Sequence, residues 1–202
     1  MVAIADACLA GKIRAEIAIV LSDMPEAGIL AHARERGLTA DFIAPGAFRT
    51  KLDEEAERLF IGRLVTAQVD FVALAGFMRI LDTGLVEAWQ NRLINIHPSL
   101  LPAFPGLHPQ RQALSAGVRF SGCTVHFVRA EMDTGPIIAQ AIVPVHDDDD
   151  EKGLAARILA AEHRLYPLAV RLYAEGRLRI DGNRAVIAGG TAPDIVALNP
   201  VA

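Results

Sequence analysis

The sequence predicts an α/β fold, a mostly parallel open twisted sheet with helices on both faces. Three observations predict it. Apolar, β-branched runs alternate with helix-period segments along the chain, as a parallel sheet flanked by helices requires. The run Phe71-Val72-Ala73-Leu74-Ala75 is apolar on both faces, as a central parallel strand is. The chain has 202 residues, 52% of them hydrophobic and 22% charged, enough for one generous domain with a sizeable core.

In chain order, residues 1–10 read as a helix with Met1, Ile4, Ala5 and Cys8 on one face, although no capping residue or strand precedes them. Strands are expected at 15–21, 40–43, 70–75, 92–96, 123–128 and 137–145, where β-branched and apolar residues concentrate. Helices are expected at 25–36, 52–68, 108–116 and 151–174, where the apolar period is helical. The strand at 92–96 is closed by Pro98, which lacks the next ladder donor. The strand at 123–128 partly alternates and is expected to be half-buried, like those after it. The helix at 151–174 follows the acidic run Asp147-Asp148-Asp149-Asp150-Glu151, which supplies a cap and favours the positive end of the helix dipole. That spacing forms no recognisable cation cage, so no metal is expected. After Ile180, Asp181-Gly182-Asn183 reads as a turn into a short edge strand. One domain is expected over 1–188, with 189–202 as a loose tail.

The formal net charge of −4 argues against a general nucleic-acid or anionic-membrane surface, both of which want excess Lys and Arg. No apolar run approaches the ~20 residues that span a bilayer, and no secretory leader opens the chain. Cys8 and Cys123 are the only cysteines, one in a helical and one in a strand pattern, which fits a reducing cytoplasm rather than a disulfide framework. Small molecules are the expected partners. The sequence does not set the oligomeric state.

The candidate chemistry centres on Asn95 and His97. Side chains alternate along a strand, so both point to one face where the strand stops. The carboxyl ends of strands are where open α/β sheets bind ligands. An amide donates to a developing oxyanion without titrating, and an imidazole donates or carries a proton near neutral pH. His126 and the segment Glu131-Met132-Asp133-Thr134-Gly135-Pro136 form a second patch. There Asp133 orients the imidazole or accepts a proton. Plainer readings stand beside these: Asn95 as a turn residue, His97 as a structural or exposed ring, and Asp133 as a turn former.

Prolines at 98, 102, 105 and 109 stiffen the following loop, and Leu101-Pro102 and Phe104-Pro105 are the bonds where a cis peptide is considered. Phe77, Met78 and Arg79 land at the sheet's carboxyl edge, with ordinary core packing as the competing reading for Phe77 and Met78. Glu162, in a helical pattern, reads as a surface charge on its own. His146, His32 and Trp89 stay unassigned.

From about Met1 to Ile180 the chain resembles the folate-dependent glycinamide ribonucleotide formyltransferases. The resemblance is carried by Ala75-Gly76-Phe77-Met78-Arg79-Ile80-Leu81, Ile94-Asn95-Ile96-His97-Pro98-Ser99-Leu100-Leu101-Pro102, Pro105-Gly106-Leu107-His108, Arg111-Gln112-Ala113-Leu114, Val125-His126-Phe127-Val128, Met132-Asp133-Thr134-Gly135-Pro136 and Glu162-His163-Arg164-Leu165-Tyr166-Pro167. It implies the Rossmann-like formyltransferase fold and transfer of a formyl group from 10-formyltetrahydrofolate, a co-substrate, to glycinamide ribonucleotide in purine synthesis. It implies Asn95, His97 and Asp133 as the catalytic set. The pterin is expected against Phe77, Met78, Arg79, Ile80 and Leu81, and against Arg129, Ala130, Glu131 and Met132. Pro98 and Glu162 are the expected substrate contacts.

The chain departs from that family at its opening. Relatives begin with a strand and a Gly-x-Gly-Ser-Asn loop that grips the substrate phosphate, and here the chain starts at the helix that follows. The expectation is that the first strand and phosphate loop are missing, that the natural protein starts upstream and that Met1 is internal. Leu159 stands where relatives carry a polar substrate contact. Two alternatives remain open: hydrolysis of formyl-folate, and a non-catalytic folate- or nucleotide-binding variant. Methionyl-transfer-RNA formylation fits less well with the acidic charge.

Overall fold

A computed structural model describes residues 1–81 and 83–189. The elements run α1 (Val2–Leu9), β1 (Val20–Ser22), α2 (Gly28–Glu35), β2 (Ala40–Phe42), α3 (Glu54–Thr66), β3 (Val72–Leu74), α4 (Thr83–Ala88), β4 (Leu93–His97), α5 (Pro109–Ser115), β5 (Phe120–Phe127), β6 (Ile137–Pro144), α6 (Glu151–Ala174), β7 (Leu178–Asp181) and β8 (Arg184–Ile187). The α/β alternation is borne out. The expected tail lies, from residue 190 on, outside the described residues. Among the described residues no helix is long and apolar enough to cross a membrane.

The ladders are mixed. β1 pairs parallel with β2, and β3 parallel with β4, while β4, β5 and β6 run antiparallel in that order. β7 and β8 form a hairpin closed at Gly182 and Asn183, with Gly182 at φ +57°, as a two-residue turn demands. Consecutive residues of β4 divide the core. Leu93 joins the cluster holding Phe60 and Leu64 of α3 and Leu85 and Val86 of α4. Ile94 joins the one holding Ile4 of α1 and Ile158 and Leu165 of α6. Because neighbouring side chains on a strand point to opposite faces, helices cover both faces of β4.

Caps follow the acidic residues. Asp53 accepts from the Ala56 N–H at the start of α3, whose first turn adds Glu54, Glu55 and Glu57. Asp150 accepts from the Gly153 N–H and begins α6. Asp149 takes both guanidinium nitrogens of Arg157, which pull its carboxyl down to about 2, and Asp147 meets Arg119. The acidic run therefore works as a cap and an ion-pair clasp.

Three expectations are corrected. β3 is only half-buried, with Ala73 exposed, although its sequence reads as central. The reason lies beside it: among the described residues no strand separates β1 from β3, and a cavity of about 910 Å³ runs between them, lined by Ala18, Val20 and Ser22 on one side and Val72, Ala73 and Leu74 on the other. Residues 15–19, expected as strand, border this cavity outside any ladder. β5, expected half-buried, is buried from Ser121 to Phe127, because α6 covers one face and the loop after β4 covers the other.

Candidate functional site

Asn95 and His97 sit on the Leu93 face of β4, opposite Ile94 and Ile96. In the antiparallel ladder Asn95 stands across from His126, His97 from Thr124, and Thr124 in turn from Gln140. One sheet face thus carries a patch of polar side chains, while Cys123, Val125 and Phe127 of β5 face the α6 core.

Buried polar groups need partners, and the loop after β4 supplies them. Thr124 Oγ1 donates to the Ser99 carbonyl at 2.7 Å and accepts from the Leu101 N–H at 3.0 Å. Gln140 Nε2 donates to the Leu101 carbonyl and to Thr124 Oγ1, both at 2.9 Å. These bonds pin the segment that holds the cis Leu101-Pro102 bond, one of the two where cis geometry was considered. The pinned loop then presents two backbone groups to the site. The Phe104 carbonyl meets His97 Nε2 at 3.0 Å, and the Gly106 N–H donates to Asp133 Oδ2 at 2.8 Å.

Asp133 arrives from the loop after β5, at a φ of +58°. That loop folds back tightly on the strand: a Cβ on Gly135 would stand 1.6 Å from the Phe127 carbonyl oxygen, so only glycine fits. The carboxylate is 8% exposed, with Oδ2 3.5 Å from His97 Nδ1 and Oδ1 3.8 Å from His126 Nε2. Both nitrogens of His97 therefore face oxygen acceptors, Phe104 O and Asp133 Oδ2, so a ring carrying a proton on each finds a partner for both. His126 is 2% exposed, and burial pushes its imidazole below the usual value. Its Nδ1 meets the Phe127 carbonyl at 3.0 Å, and its Nε2 stands 3.4 Å from Asn95 Nδ2. Asn95, His126, Asp133 and His97 form one chain of contacts.

The structure brings the expected trio together, and adds His126 as the link. Pro98 follows His97 directly and is part-buried. Glu162 stands apart from the trio, in a cavity of about 260 Å³ bounded by Gly76, Ile96, Leu159, His163 and Tyr166. Far from being a surface charge, its carboxyl is pushed up to about 7 by burial.

The two expected folate segments are rooted in one hydrophobic cluster through Leu81 and Val128. Phe77 packs edge-on against Phe60 at 6.1 Å, as its core reading has it, while Met78 is 74% exposed. The Arg79 guanidinium is committed to Asp23 at 2.6 Å and to the Phe48 and Arg49 carbonyls, and the Ile80 N–H donates to the Thr50 carbonyl. In the other segment Arg129 donates to Asn91 Oδ1, and Ala130, Glu131 and Met132 are exposed. Among the described residues no cluster of three His, Cys, Asp or Glu side chains is poised to hold a metal ion.

The site's support was missing from the sequence reading of roles: Thr124, Gln140, the Phe104 carbonyl, the Gly106 N–H and the bridging position of His126. The available signal was two polar residues, 124 and 126, at alternate positions of an apolar strand.

The model of the Formyl transferase family matches residues 1–170. The chain belongs to the formyl transferase family. It is 42% identical over 191 residues to the phosphoribosylglycinamide formyltransferase of Escherichia coli (strain K12), covering 95% of this chain and 89% of that protein. It is 50% identical over 169 residues to the trifunctional purine biosynthetic protein adenosine-3 of Drosophila pseudoobscura pseudoobscura, covering 82% of this chain but 12% of that longer protein. The crystal structure of glycinamide ribonucleotide transformylase 1 from Symbiobacterium toebii superposes with a TM-score of 0.88 at 50% identity, covering 92% of this chain and 87% of that one. For a formyl transferase, an amide donor beside an imidazole backed by a carboxylate offers oxyanion stabilisation and proton transfer at one point.

Proposed function

We propose that this chain transfers the formyl group of 10-formyltetrahydrofolate to the amine of glycinamide ribonucleotide, a step of de novo purine biosynthesis. The observation that carries this reading is the buried convergence of Asn95, His97 and Asp133 at the end of β4, in a chain so similar to named transferases of this substrate.

In this reading the amine attacks the formyl carbon, a carbon–nitrogen bond forms, and the carbonyl oxygen becomes an oxyanion. Asn95 Nδ2 donates to that oxyanion, and protonated His97, its two N–H groups directed at the Phe104 carbonyl and Asp133, places its positive charge beside it. Collapse breaks the bond to folate N10, which takes up a proton that Asp133, through water, helps to move from the attacking amine. The pterin lies against the backbone of 79–81 and the loop 129–133, with Phe77 and Met78 nearby. Glu162 contacts the ribonucleotide, and Pro98 lines the path between the two substrates. No metal takes part. The reading treats 1–188 as one cytoplasmic domain, with no nucleic-acid or membrane partner.

The test is a folate absorbance assay run with and without glycinamide ribonucleotide. Amine-dependent deformylation is the expected result. Formate release without the amine means hydrolysis instead. Folate binding without turnover, read by calorimetry, means a binding protein.

A further inference from the structure

We propose that His126 is a positioning residue for the transfer: its unprotonated Nε2 accepts one N–H of Asn95 and fixes the carboxamide so that its second N–H is free for the formyl oxygen. The proposal rests on the reading of Asn95 as an oxyanion donor.

A backbone carbonyl only accepts, so the nitrogen 3.0 Å from the Phe127 carbonyl, Nδ1, carries the proton. A neutral imidazole has one proton, so Nε2 is bare. Burial at 2% exposure keeps the ring neutral and keeps water from competing for that lone pair. The amide head 3.4 Å from Nε2 must then be the donor, Nδ2, rather than Oδ1. The carboxamide has two orientations, and the tautomer of His126 selects one of them. The second N–H of Nδ2 points away from His126 by the planar geometry of the group, a fixed donor of the kind an oxyanion requires.

The backbone supports this use of His126. Val125 pairs with Ala139 and His126 with Ile137, leaving Ile138 as an extra residue and the ladder bulged at His126. The extra residue bends β6 opposite His126, and such features concentrate beside reaction centres. Two other groups face the ring: Asp133 Oδ1 at 3.8 Å from the loop after β5, and His97 from β4. Neither offers Nε2 a proton donor as directly as Asn95 does.

The experiment combines a spectroscopic readout with a double-mutant cycle. In the wild-type protein, nitrogen-15 NMR of labelled histidine should show His126 protonated at Nδ1 and bare at Nε2. His126→Leu should lower kcat about tenfold with KM little changed, the worth of one oriented hydrogen bond. His126→Gln, which keeps an acceptor at that reach, should retain most of the turnover. In an Asn95→Ala background the His126→Leu change should cost little more. An Nε2-protonated tautomer overturns the proposal even if His126→Leu fails to fold. So does an equal kcat loss in both backgrounds, which leaves Asn95 catalytic but uncoupled from His126. Full turnover in Asn95→Ala alone overturns the underlying reading of the site instead, and this proposal with it.

Discussion

Replacing Glu162 with Gln should change how stability depends on pH, by an amount the structure specifies. The Glu162 carboxyl rises from 4.5 to about 7 because burial disfavours its charged form. Between those values the unfolded chain loses this proton first while the folded chain keeps it, so the folded state binds more protons and stability falls as pH rises. At about 1.4 kcal/mol per pH unit, the loss between pH 4.5 and pH 7 is at most roughly 3 kcal/mol, less whatever residual solvent contact screens. Below pH 4.5 the contribution is flat because both states are protonated, and well above pH 7 it is flat again because both are ionised. Glu162→Gln removes this component together with the pull of its charge on the nearby Met1 amino group. Urea unfolding of both proteins at pH 5, 6, 7 and 8 gives the difference directly. Wild type should lose ground against the variant across that range. A difference that stays constant with pH would falsify the assignment of a buried, neutral-prone carboxyl at 162.

Asn95→Ala should lower kcat by about 10²–10³, or about 2.7–4 kcal/mol of barrier, with little change in substrate affinity, checked by steady-state kinetics. Asp133→Asn should fold and give much lower activity; normal activity in that assay would end its role. Gly135→Ala puts a Cβ 1.6 Å from the Phe127 carbonyl, so the loop must move, and about 1–3 kcal/mol of stability should be lost together with activity as Asp133 shifts. Thermal melts with parallel assays read both losses. Tyr166 donates to the Leu74 carbonyl at 2.6 Å and lies 3.2 Å from that of Ile94, so Tyr166→Phe should cost about 1–3 kcal/mol in urea unfolding by leaving a buried acceptor unpaired.

The parts of this molecule that were legible in sequence are the local ones. Period-two spacing and Pro98 put Asn95 and His97 on one face at the end of a strand, and β4 ends at His97. The acidic run before α6 reads as a cap because capping is decided within three residues. The turn at Gly182 and Asn183 is legible for the same reason. What was not legible depends on distant chain. Thr124 and His126 are buried only because residues 98–106 fold over them, and Glu162 is part-buried only where α6 meets Gly76 and Ile96. Phe71 to Ala75 reads as a central strand, yet its burial depends on whether a neighbour fills the space toward β1. The six-residue α4 was missed because Thr83 to Ala88 is too short to show a period. Asp133 entered the site reading through family resemblance, since Asp in a Thr-Gly-Pro context is equally a turn former.

The segregation of β5 into two chemically distinct faces has a consequence for how this protein tolerates change. Cys123, Val125 and Phe127 answer to the volume left by α6, whereas Thr124 and His126 answer to the geometry of a reacting centre. Sequence drift can therefore repack alternate positions of a single strand while the intervening ones stay fixed. A saturation scan of residues 121–127 should sort into two interleaved series, one limiting yield of folded protein and the other limiting turnover.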